Sequence, residues 1–72
     1  MSAQPKEVVG CERLTRREHE IIGLVAEGLT NAQIAARLWI SGGTVRRHLE
    51  NAYAKLGVHT RTAAVARLRA DY

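Results

Sequence analysis

An all-α fold, a compact four-helix bundle, is predicted by three observations. Apolar residues recur at helical spacing in four separate segments. Each segment opens on a good capping residue, namely Thr15, Thr30, Ser41 and Thr60. Gly28 and Gly57 stand where the first and third segments stop, the place for a left-handed terminating residue. The helices are expected at about 15–27, 31–38, 42–56 and 60–70.

The first segment begins in LTRRE at 14–18, where Thr15 and Glu18 complete a capping box and Ile21, Ile22, Val25 and Leu29 follow as the apolar stripe. His19 is expected to be solvated or to cap. In the second segment Thr30 and Gln33 form another box, and Ile34, Ala35 and Leu38 face inward. Its link to the third is only Trp39-Ile40-Ser41, and two helices joined by so short a turn define a helix-turn-helix. The indole of Trp39 is expected to plug the core.

The third segment is the one around which the chain is organised. Val45, Leu49, Ala52 and Leu56 fall within about 60° of one another at about 100° per residue. Gly43, Arg47, Glu50, Asn51 and Ala54 lie opposite; Arg46 and Tyr53 flank that face on one side, Thr44, His48 and Lys55 on the other. One side docks on a core and the other presents cations and amides, which pair bidentately with base edges when such a helix enters the DNA major groove. Gly42 and Gly43 in its first turn lower helix propensity; they either permit close approach of a sugar-phosphate backbone or are simply tolerated at a helix start. In the fourth segment Ala64, Val65 and Leu68 pack inward, while Ala63, Ala66 and Ala70 line the other side and let a second helix lie close.

The 72 residues make one domain, 14–72, behind a flexible arm or linker at 1–13. The net charge of +4 is placed unevenly: in residues 1–40 five cations balance five carboxylates, whereas residues 41–72 hold six cations against two. A basic half joined to a neutral half points to a polyanionic partner. The single Cys11 has no partner for an internal disulfide and there is no Cys/His cluster, so neither metal nor cofactor is expected. No apolar run reaches the length of a membrane span, and the opening MSAQPKEVVG lacks the regions of a signal peptide, so a cytoplasmic location is expected. No enzymatic activity is expected either: no nucleophile–base arrangement is recognisable, and so small a bundle leaves little room for a pocket.

Four ordered motifs carry a family resemblance: LTRRE at 14–18, GLTNAQIAARL at 28–38, ISGGTVRRH at 40–48 and KLGVHTR at 55–61. The stretch from Leu14 to about Leu68 resembles the LuxR-type (FixJ/NarL/GerE-like) DNA-binding domain of bacterial transcription regulators. The resemblance implies a four-helix bundle whose second and third helices form the helix-turn-helix, with the third in the major groove of double-stranded DNA. It implies base contacts at Arg46, Arg47 and Glu50, to which the helical face adds Asn51. It implies phosphate contacts at Thr30, Asn31, Thr44 and Lys55; Ser41, His48 and Arg61 are expected to join them. It also implies a homodimer through the fourth helix, which agrees with the alanine strip; there Arg67 is expected to hydrogen-bond across the two-fold axis. Such a domain serves as the effector of a response regulator or as a stand-alone regulator, with RNA polymerase a possible further partner. The chain departs from the pattern at Gly42-Gly43, where a polar pair is usual, and at Glu50, where a cation or small polar residue is common.

Two other readings compete. Region 4 of a sigma factor shares the LTxRE opening and a cap like SGGTV, but the KLGVHTR tail and fourth helix argue against such a promoter-binding module. A helical protein-interaction module would use the alanine strip without DNA; salt-dependent binding to duplex DNA separates it from the leading reading.

Overall fold

The computed structural model describes residues 13–70. Of the expected arm, 1–13, only Arg13 is described. The described residues form four helices: α1 (Arg16–Ala26), α2 (Asn31–Leu38), α3 (Gly42–Leu56) and α4 (Arg61–Ala70). These match the expected segments, with α1 and α4 shorter by the capping residues at their ends.

The starts follow the capping chemistry. Thr15 Oγ1 accepts from the Glu18 amide at 3.0 Å and Glu18 Oε1 accepts from the Thr15 amide at 2.9 Å. Thr30 and Gln33 repeat the reciprocal pair at 3.1 and 2.8 Å. Ser41 Oγ accepts from the Thr44 amide at 3.0 Å, and Thr60 Oγ1 from the Ala63 amide at 3.1 Å. Each such bond satisfies an amide that the helix itself leaves open, and losing a cap costs about 1 kcal/mol.

Three helices stop in the same way. The amides of Leu29, Ile40 and Val58 reach back five residues to the carbonyls of Leu24, Ala35 and Tyr53, at 3.2, 3.0 and 3.0 Å. The residue before each has a positive φ: 96° at Gly28, 60° at Trp39 and 72° at Gly57. In this motif the residue after the left-handed one turns back onto the helix, and Leu29, Ile40 and Val58 all pack against the core. The left-handed residue itself is turned outward. The expectation for Trp39 is therefore overturned: its indole is 93% exposed, and Ile40 fills the place the core offers.

The core is aliphatic. Ile21, Ile22, Leu24 and Val25 of α1 meet Ile34 and Ala35 of α2, Val45, Leu49, Ala52 and Leu56 of α3, and Ala64 and Leu68 of α4. Fully burying one such Leu, Ile or Val side chain is worth about 1.5–3 kcal/mol. The whole seam of α3 lies within that core, so α3 is fixed about its own axis. α1 packs most extensively against α3, and α2 also lies against α3.

One charge is buried among these side chains. Glu18 is only 4% exposed, and its Oε1 also accepts from Lys55 Nζ at 2.7 Å. The capping carboxylate of α1 thereby holds the last turn of α3. Burial alone pushes the Glu18 carboxyl up, but the Lys55 ammonium and the Thr15 donors outweigh it and hold it below the ordinary value of 4.5.

Candidate nucleic-acid interface

With its seam buried, α3 turns Arg46, Arg47, Glu50 and Asn51 to solvent. Among the described residues none of these four side chains makes a hydrogen bond or an ion pair within the chain. Their donors and acceptors are unspent, and the helix carrying them cannot rotate without unburying Val45, Leu49 and Leu56. Such a helix can put two guanidinium forks, one amide and one carboxylate against the edges of a groove. Donors of these kinds recognise guanine and adenine, and a carboxylate accepts from cytosine.

The approach to this face is bounded by the residues expected on phosphates. Ser41 and Thr44 are exposed at the start of α3, their hydroxyl oxygens 2.9 Å apart. Beside them Gly42 has no atom within 4 Å of where a Cβ would stand, and Gly43 has only Ser41 Oγ at 3.9 Å. Among the described residues nothing beyond the helix itself requires glycine at either position, so the bare backbone there is open to close approach. His48 is half-buried on the flank of the helix. Thr30 is exposed at the start of α2, with Asn31 half-buried after it.

Three cations of the basic half are engaged inside the chain. Lys55, expected on phosphate, is tied to Glu18. Arg61 donates from Nη1 to Asn31 Oδ1 at 2.9 Å and from Nη2 to the Leu29 carbonyl at 2.6 Å. Arg67 donates from Nη1 to the Leu56 carbonyl at 2.8 Å, satisfying a carbonyl at the end of α3. It was expected to reach across a two-fold axis. On the same helix Ala66 and Ala70 are exposed, while Ala63 is half-buried. Val25 and Ala26 of α1 and Val65 and Ala66 of α4 floor a shallow groove of about 370 Å³, with Arg61 and Arg69 among its rim residues.

Sequence reasoning missed all of these links. Glu18 read only as a cap, because the pattern of a capping box is local and carries no sign of the lysine 37 residues on. The bond between Arg61 and Asn31 joins residues 30 apart and has no sequence periodicity at all.

Comparison with known proteins bears on the family and the fold. Residues 12–68 match the model of the family described as bacterial regulatory proteins, luxR family. The chain is 56% identical over 55 residues to the probable transcriptional regulatory protein SgaR of Hyphomicrobium methylovorum, a match covering 76% of this chain and 26% of that one. It is similar in structure to the response regulator ChrA of a heme-sensing two-component system. That match has a TM-score of 0.78 and 43% identity, covering 94% of this chain and 31% of ChrA. The chain thus spans about a quarter to a third of the length of these relatives. Among the described residues no helix is long and apolar enough to cross a membrane. With the match running from before α1 into α4, the chain belongs to the luxR family of bacterial regulatory proteins.

Proposed function

We propose that this chain binds double-stranded DNA sequence-specifically in bacterial transcription regulation, as the output domain of a response regulator or of a stand-alone regulator in the cytoplasm. α3 enters the major groove, and Arg46, Arg47, Glu50 and Asn51 read base edges. Thr30, Asn31, Ser41, Thr44 and His48 lie along the phosphates, with Lys55 adding positive charge at the flank and Arg61 standing behind Asn31. Two copies pair on DNA through the outward side of α4, where Ala63, Ala66, Arg67 and Ala70 lie, and present their recognition helices to half-sites about one duplex turn apart. The single observation that carries this reading is the unspent polar face of α3, set opposite a seam that the core fixes.

The test begins with selection of bound duplexes from a random pool by the 72-residue chain. Binding of the selected duplex is then followed against salt; log K is expected to fall linearly with log salt, by about 0.9 per phosphate neutralised. Arg47→Ala is expected to cost about 1–3 kcal/mol on that duplex and to relax preference at one base position. A flat salt response, or a mutant with unchanged affinity and unchanged preference, overturns the proposal.

A further inference from the structure

We propose that Arg61 is a positioning residue that acts on DNA through Asn31, by fixing which end of the Asn31 carboxamide faces outward. This rests on the DNA-binding reading above and deepens it. A carboxamide has an acceptor end and a donor end, and rotation by half a turn exchanges them. Facing a phosphate, the amino end attracts and the carbonyl end repels. Asn31 opens α2 and is half-buried, so its surroundings decide between the two orientations.

Arg61 makes that decision. A guanidinium only donates, so the 2.9 Å bond from its Nη1 requires the Asn31 oxygen to point inward. Both donor hydrogens of Asn31 Nδ2 are then left facing away from Arg61. The second bond, from Nη2 to the Leu29 carbonyl at 2.6 Å, prevents the guanidinium from swinging off. Leu29 lies in the link between α1 and α2, and Arg61 is the first residue of α4. The fork thus clamps the start of α4 to the start of α2 and to the link that precedes it. Lysine keeps the charge but has no planar fork to hold both acceptors in this geometry.

The experiment compares wild type, Asn31→Ala, Arg61→Ala, Arg61→Lys and the Asn31→Ala/Arg61→Ala double variant on the duplex selected by wild type. Affinities and salt slopes are measured, and folding is checked by helical circular dichroism. Asn31→Ala and Arg61→Ala are each expected to weaken binding roughly tenfold, the scale of one hydrogen bond to a charged acceptor. The double variant loses no more than either single one. Arg61→Lys behaves like Arg61→Ala, and every variant keeps the wild-type salt slope, since no phosphate-neutralising charge is lost. Full rescue by lysine, a slope reduced by about 0.9 in Arg61→Ala, or losses that simply add, overturns the proposal in favour of direct phosphate contact or independent action.

A second measurement needs no DNA. The side-chain amide signals of Asn31 in a nitrogen-15 NMR spectrum are expected to shift in the folded Arg61→Lys variant; unmoved signals sink the positioning role by themselves. If the Arg61→Lys variant shows this shift but wild type has no salt-dependent affinity for duplex DNA, the DNA-binding reading is overturned, and with it the purpose assigned to the clamp.

Discussion

Trp39 occupies the position at which α1 and α3 use glycine. A side chain larger than hydrogen crowds the carbonyl in the left-handed region, at a cost of about 1–2 kcal/mol. The indole gains little in return from packing, because it is 93% exposed. Trp39→Gly is therefore expected to stabilise the free chain by about 1 kcal/mol. In a domain this small that is about 4–8 °C in a melt followed by circular dichroism; a lowered midpoint would show that the indole makes stabilising contacts. Glu18 is the opposite case, a buried group whose contacts decide its behaviour. Its pKa is depressed in the folded chain, so its contribution is fully present above the unfolded value near 4.5 and is lost as pH falls through the lower folded value. Glu18→Gln is expected to cost about 1–3 kcal/mol at neutral pH, where it replaces the ion pair with Lys55 by a weaker bond to a neutral carbonyl. The variant should also lose less stability than wild type on acidification below about pH 4.5. Denaturant melts at several pH values check this, and parallel pH profiles for the two proteins would remove Glu18 from the account.

At the scale of elements, the helices could be read in the sequence because their determinants are local. A Thr with a Glu or Gln three places on, a stripe at steps of three and four, and a Gly at the end act within one or two turns. Those signals place all four helices to within a residue or two. They also place the buried seam of α3, and with it the face that carries Arg46, Arg47, Glu50 and Asn51. The cations of the flanks were not legible in the same way. Lys55, Arg61 and Arg67 look alike in a charge count, yet each is held by a partner 11 to 37 residues distant. Only the packing of helix on helix brings those partners within reach. Trp39 misled for a related reason: apolar character argues for burial, but the geometry of the α2 terminus gives the inward place to the next residue. The first turn of α3 allows a sharper test of what the element is for. Gly43→Ala is expected to stabilise the free chain by up to about 1 kcal/mol, since the added methyl finds open space. The same change should weaken binding to the selected duplex if a sugar-phosphate backbone passes close to this turn. A variant that is more stable and binds as well as wild type would remove the second half of that argument.

For the whole molecule, the proposed pairing of two copies through α4 can be tested directly. The outward side of α4 offers Ala66 and Ala70, both exposed, next to the groove that α4 forms with the end of α1. Because Arg67 is held by the Leu56 carbonyl, close approach of two copies there rests on the alanines and on the rim of that groove. Ala66→Glu is expected to leave the monomer folded and to place like charges opposite each other where two copies meet. Titration of one half-site and of a double site should show cooperativity in wild type and its loss in the variant. Equal cooperativity in both would move the contact elsewhere.

The exposed indole at the corner between α2 and α3 also has an optical consequence. It is the chain's single tryptophan, and it is already surrounded by water when the protein is folded. Its emission is therefore expected at the wavelength of a hydrated indole in both folded and unfolded chains. A fluorescence spectrum is expected to be nearly blind to the folding of this protein, whereas a duplex or second protein that covers that corner and excludes water from the indole is expected to shift the emission to the blue. The chain carries a reporter of contact at one place on its surface, needing no label and undisturbed by the state of the core.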